Sequence, residues 1–205
     1  MSGSKKNIHV DSEMLNGTLR LIKDNGLFYA GAKNNVWNID SEVLVPVNTA
    51  RLLMAFIVLY QQDPDQNLKK LIIKMADGIH QRANYEDDYA YFTFVPAGTL
   101  DTNIGVLGHW EVIFVHGTSI RALCHVYSLT GDKKYLELAG KLKNLLLKKR
   151  YWIPEVAPKA IEPSEHAQFM GHHHSYSAAL MGLINYADAT NDPKLKRFVR
   201  SGYEY

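Results

Sequence analysis

Three consecutive histidines, His172, His173 and His174, stand directly before the apolar run "SYSAALMGLINYA". An imidazole changes its protonation state near neutral pH, so this cluster suits proton transfer or hydrogen bonding to a substrate. Adjacent side chains diverge, so at most two of the three rings could bind one metal ion. We expect His174 to act in catalysis, His172 and His173 to contact substrate, and no metal to bind. A polar start to a helix is the structural alternative.

The segment "GHWEVIFVHG", residues 108–117, holds a second group of candidates. Its alternating pattern predicts a strand with an aromatic face that includes Trp110 and Phe114. We expect Glu111 and His116 to act in catalysis and Trp110 to stack on a sugar ring, whose C–H face is apolar. The structural alternative is that the aromatic side chains only pack this segment against the rest of the fold.

Two further carboxylates, Asp40 and Glu42, lie in "NIDSEVLVPVN" before the first long apolar segment. Glycoside hydrolysis uses two carboxyl groups, about 5–5.5 Å apart for retention or about 6.5–9.5 Å apart for inversion. Asp40, Glu42 and Glu111 could supply such a pair, and we expect Asp40 and Glu42 to contact substrate. Solvated loop carboxylates are the alternative. The sequence contains no P-loop, dinucleotide fingerprint or nucleophile elbow, and we expect no cofactor.

Three similar segments, starting at Asn48, Gly117 and Ser175, must position these residues. Each predicts a nearly apolar helix, a tight turn and an amphipathic helix. An earlier helix is predicted near residues 11–23. Helices that are buried on most sides and alternate with half-exposed ones are typical of an α/α toroid or solenoid.

The turns of the three segments share their chemistry. Asp63 (followed by Pro64), Asp132 and Asp192 (followed by Pro193) each offer an N-cap for the second helix, with proline at its first position in two cases. Gly131 and Asn191 suit the left-handed residue that ends the first helix.

Long insertions precede each apolar helix, and so we expect them on one face of the scaffold. "YAYFTFV" and "HWEVIFV" predict a β-hairpin in one of these insertions. The predicted fold is therefore a single all-α domain over residues 1–205. It is part of an α/α toroid of the six-hairpin barrel type, with β-hairpin and loop insertions on one face.

The segments "HGTSIRALCHVYSLTGDKKYLELA" and "GHHHSYSAALMGLINYADATNDPKL" resemble repeats of the α/α-toroid carbohydrate-active enzymes. These include β-L-arabinofuranosidase-like and unsaturated-uronyl glycoside hydrolases, and sugar 2-epimerases. The resemblance implies a glycoside-hydrolase-like protein that cleaves or binds a carbohydrate at the N-terminal ends of the inner helices. The alternatives are a sugar epimerase that uses histidine pairs and a non-catalytic helical-repeat binding module. Cys124 does not match the catalytic cysteine of the arabinofuranosidase-like enzymes, so no nucleophile is assigned.

Composition excludes several other classes of protein. The 205 residues include 23 basic and 21 acidic residues, a net charge of +2. This balance gives no electrostatic reason to expect nucleic acid or an anionic membrane as a partner. One cysteine permits no internal disulfide, and no signal peptide or membrane-spanning segment is predicted, so a cytoplasmic location is slightly favoured.

The pattern predicts about seven helices, fewer than a closed six-hairpin ring contains. We therefore expect the chain to self-associate, to meet a second chain or to belong to a longer ring. On this reasoning Leu180, Leu183, Ile184 and Ala187 leave part of their apolar surface in water.

Overall fold

A computed structural model describes residues 8–29, 45–92, 109–152, 167 and 172–204. The helices in these ranges are α1 (Ile8–Arg20), α2 (Val45–Gln62), α3 (Gln66–Arg82), α4 (His109–Thr130), α5 (Lys133–Leu146), α6 (His173–Thr190) and α7 (Pro193–Glu204). Two short antiparallel strands, β1 (Asn84–Tyr85) and β2 (Ala90–Tyr91), follow α3, and a 3-10 helix covers Lys149–Tyr151. The all-α class, the first helix and the three helix pairs are therefore confirmed.

The first helices of the three pairs form one layer, with α4 packed between α2 and α6. The second helices, α3, α5 and α7, each pack against the first helix of their own pair. Neighbours on several sides explain why α4 is apolar around most of its circumference: Val112, Ile120, Leu123 and Val126 are all buried. The amphipathic helices bury one stripe, as Tyr135 and Leu142 of α5 do.

The turns confirm most of the predicted caps. Asp132 accepts a hydrogen bond from the Lys134 amide at 3.1 Å, and Asp192 accepts one from the Lys194 amide at 2.9 Å. Gly131 has a φ of 71° and Asn191 a φ of 53°, so both adopt the left-handed conformation.

The predicted cap at Asp63 is wrong. Helix α3 begins two residues later than predicted, and its N-cap is Asp65, which accepts from the Leu68 amide at 2.7 Å. Pro64 therefore precedes the helix instead of occupying its first position. Two aspartates flank this proline, and only Asp65 stands three residues before an unpaired helical amide.

The strand predicted for "HWEVIFV" is also wrong, because this segment forms the first two turns of α4. A short segment that is buried on both sides is apolar at nearly every position. The spacing of its apolar residues therefore cannot distinguish a strand from a helix. Val112, Ile113 and Val115 are all buried here, and this includes residues on both faces of the supposed strand.

A hairpin does precede α4, but it pairs Asn84 with Tyr91 and Tyr85 with Ala90. Helix α5 holds its tip. The Lys141 ammonium donates to the carbonyls of Glu86 and Asp87 at 2.9 and 2.8 Å. Lys148, which is almost completely buried, forms an ion pair with Asp88 at 2.9 Å. The hydrogen bond from Lys148 lowers the pKa of the Asp88 carboxyl.

The expectation of exposed aliphatic residues on α6 is wrong for three of the four. Leu180, Leu183 and Ala187 are completely buried, and Ile184 is half-buried. Helices α4 and α7 both pack against α6 and cover this surface. Among the described residues, no helix is long and apolar enough to cross a membrane.

Candidate functional site

A groove with a volume of about 160 Å³ opens between α2, α4 and α6, the first helices of the three pairs. Its lining comes mainly from the N-terminal parts of these helices. The lining residues are Arg51 and Met54 of α2, Phe114, Thr118 and Arg121 of α4, and His174, Ser177, Ala178 and Met181 of α6.

Helices α4 and α6, which both contribute residues to the groove, are in close backbone contact. A Cβ atom on Gly117 would lie 2.5 Å from the Cα of Ala179, and one on Gly182 would lie 2.2 Å from the carbonyl oxygen of Gly117. Such distances are too short for any side chain, so both positions require glycine. The two helices run parallel, because contacts advance together from Gly117 with Ala179 to Arg121 with Met181.

Three side chains from three helices stack at the N-terminal end of the groove. The guanidinium carbon of Arg51 lies 4.8 Å from the ring centroid of Phe114, within the range of a cation–π contact. The ring of His174 approaches the same phenylalanine, with 5.1 Å between centroids and 44° between planes. The stack thus holds a cation and an imidazole beside one aromatic ring.

Arg121 lies seven residues after Phe114 on α4, about 10 Å further along the helix axis. Its Nη1 atom approaches the thioether sulfur of Met181 at 3.9 Å, and a thioether is a weak acceptor. Its Nε atom is buried and has no hydrogen-bond partner in the described part of the chain. Within those residues, no ion pair involves Arg51 or Arg121, and no carboxylate lines the groove.

The structure gives different positions to the members of the histidine triplet. His172 is the N-cap of α6: its Nδ1 accepts from the Ser175 amide at 3.3 Å and lies 2.9 Å from the Ser175 hydroxyl. His173 is exposed and does not line the groove, whereas His174 does. The rings of His172 and His174 are 5.9 Å apart. No cluster of potential metal ligands occurs within the described ranges.

The predicted catalytic role of His116 finds no support, because this residue is completely buried in α4. The Phe92 amide donates to its Nε2 at 3.1 Å, which leaves Nδ1–H to donate to the Val112 carbonyl at 2.6 Å. Burial lowers its pKa to about 4, against a smaller opposing effect of the Val112 bond. His116 is not among the described residues that line the groove of His174, and a cavity shared by the two histidines stays a prediction. His116 anchors the end of the hairpin.

The remaining predicted site residues lie partly outside the described structure. Trp110 and Glu111 belong to the first turn of α4, and their side chains are not among the described ones. Asp40 and Glu42 fall outside the described residues. All four remain predictions.

A second groove, with a volume of about 550 Å³, lies where α1 approaches α2 and α3. Aliphatic and aromatic side chains dominate its lining, including Leu15, Leu19, Phe56 and Leu71. Asp65 also lines it but already caps α3. This groove therefore offers apolar surface and little chemistry.

The pattern of the sequence did not single out Arg51 or Arg121. Each nevertheless carried a signal, because each is a charged residue within a helix that is otherwise nearly apolar, "NTARLLMAF" and "GTSIRALC". A charge in such a helix must reach solvent, a partner or a cavity. A comparison of the chain with protein-family models and with curated proteins finds no match.

Proposed function

We propose that this chain processes a carbohydrate in the groove between α2, α4 and α6, as part of an α/α-toroid protein of the glycoside-hydrolase kind. One observation carries the proposal: helices α2, α4 and α6 line a single groove, which brings together Phe114, His174 and two arginines. Grooves that combine an aromatic side chain with a few polar groups are typical of small-ligand sites.

The groove offers the contacts that a sugar ring needs. Phe114 presents aromatic surface for an apolar C–H face, and Ser177 and Thr118 bring hydroxyl groups from two helices. The Thr118 hydroxyl donates to the Phe114 carbonyl at 2.8 Å and keeps its lone pairs for a sugar hydroxyl. His174 is exposed at the mouth and is the proton-transfer group of the proposal. Glu111, three residues before Phe114, is its proposed carboxyl partner.

A sugar epimerase is the second candidate. The observation that favours it is that the proton-transfer side chain lining the groove in the described structure is a histidine and not a carboxylate. Epimerisation moves a proton on and off a carbon atom, which histidines with a pKa near neutrality can do.

One set of assays separates these functions. The purified chain is incubated with a panel of glycosides and free sugars in D2O. New reducing ends indicate a hydrolase, deuterium on a sugar carbon indicates an epimerase, and saturable binding without either indicates a binding module. The proposal of carbohydrate processing is overturned if no member of the panel binds or reacts.

Two substitutions assign the roles. We expect His174→Gln to lower turnover by about 100-fold or more, the usual contribution of general acid–base catalysis. Glu111→Gln should do the same only in a hydrolase. His80→Gln is the matched control, because His80 lies on the outer helix α3 and does not line the groove. An equal loss in the control would show a folding defect.

A further inference from the structure

The charges of the groove restrict the kind of sugar it accepts. Arg121 has five N–H donors, and the partner that the described structure supplies to them is a thioether at 3.9 Å. Its Nε is buried without a partner. Leaving a buried donor unpaired is unfavourable, and more so when the group is charged. A bound acceptor would remove this cost.

A second cation lies on the same groove. Arg51 is exposed, and its guanidinium carbon lies 4.8 Å from the ring centroid of Phe114. Two positive charges that share a cleft repel each other, and the cleft concentrates their field. This favours a ligand with negative charge.

The field of Arg121 is also felt by its neighbour one turn along α4. The pKa of His125 is lowered, first by burial and second by the positive charge of Arg121.

We infer that the groove binds a sugar that carries an oxyanion, and that Arg121 is the residue that binds this group. The inference rests on the proposed carbohydrate function and adds the class of substrate. The planar fork of Arg121 matches the two oxygens of a carboxylate, sulfate or phosphate group. Arg51 adds attraction at the rim, while Phe114 lies beside the sugar ring.

The test is calorimetric binding of matched sugar pairs. Each pair contains a neutral sugar and the same sugar with a carboxylate, a sulfate ester or a phosphate ester, and inorganic sulfate and phosphate are measured separately. We expect at least one charged sugar to bind about tenfold or more tightly than its neutral partner, because hydrogen bonds to charged groups are stronger than those between neutral groups. This preference should shrink at high salt.

Variants locate the interaction. Arg121→Gln should remove the preference for the charged sugar, so that charged and neutral members of a pair bind with about equal affinity. Arg121→Lys keeps the charge but loses the fork, so it should restore only part of the preference. Arg51→Gln should have a smaller, more salt-dependent effect. Arg197→Gln is the matched control, since Arg197 is exposed on α7 and away from the groove lining. Circular dichroism melts confirm that each variant folds.

The outcomes separate the two proposals. Equal binding of charged and neutral sugars overturns the inference and leaves the carbohydrate function standing. A charge preference that survives in Arg121→Gln also overturns the inference. Binding of inorganic anions without any sugar, or no binding at all, overturns both.

Discussion

Acid should destabilise this protein through His116, because its ring is buried and neutral. The pKa of His116 in the folded chain is lowered from 6.5 to about 4 by burial. A second proton would have to enter at Nε2, which already accepts the hydrogen bond of the Phe92 amide. The unfolded chain therefore takes up this proton near pH 6.5 and the folded chain only near pH 4. The stabilisation is complete above pH 6.5 and is lost as the pH falls towards 4.

The magnitude follows from the two pKa values. The difference between 6.5 and about 4 corresponds to about 3 kcal/mol, since one pKa unit is worth about 1.4 kcal/mol. About 2 kcal/mol of this is lost by about pH 5. The whole stability of a typical domain is only about 5–15 kcal/mol, so the loss is measurable.

Urea denaturation at about pH 7.5 and about pH 5 tests this prediction. His116→Asn removes the titrating ring and retains an amide N–H for the Val112 carbonyl. We expect this variant to be less stable at neutral pH but to lose about 2 kcal/mol less than the parent chain on acidification. His173→Gln, at an exposed histidine, is the control and should behave like the parent. Equal acid losses in the parent and His116→Asn would refute the reasoning.

Three further predictions follow from the packing and the caps. Gly182→Ala should destabilise the chain by about 1–3 kcal/mol in thermal melts, because the added Cβ would clash with the backbone of α4. Gly17→Ala is the control. It has no neighbour closer than 3.9 Å and should be neutral or slightly stabilising. Asp65→Ala should cost about 1 kcal/mol through the lost cap of α3, and an equal cost for Asp63→Ala would contradict the assigned cap. Burial raises the pKa of the Cys124 thiol to about 12, so iodoacetamide should modify it slowly in the folded chain and rapidly in urea. Fast labelling of the folded protein would show that α4 opens.

The sequence was sufficient to predict the helix pairs, because turn chemistry and hydrophobic periodicity agree there. The cap at Asp132, the cap at Asp192 and the left-handed Asn191 all require particular residue types, and these are readable from the chain. The N-cap of α3 was predicted at the wrong aspartate because Asp63 and Asp65 flank Pro64. Which of the two caps the helix depends on the residue at which the helix starts, and this is Gln66. The strand predicted around Val112 was wrong because the segment is buried on both sides. Such a segment lacks the polar positions whose spacing distinguishes a strand from a helix.

The location of a site at the N-terminal parts of the apolar helices stays a prediction, and the structure shows only that His174 lines a groove between α2, α4 and α6. The position of His116 in the sequence does not reveal that both of its ring nitrogens meet backbone groups from Phe92 and Val112. The pairing of Arg51 with Phe114 joins residues 63 positions apart in the chain, and a local pattern carries no such information.

The glycine contact between α4 and α6 has a consequence for how this site can diversify. Gly117 and Gly182 bring two backbones into direct contact, and a side chain at either position would force α4 and α6 apart. Related proteins that keep both glycines would keep this close helix spacing and change ligand preference through positions such as 121, 177 and 181. Families that keep both glycines but vary at these three positions would share the scaffold and differ in the ligand that they bind.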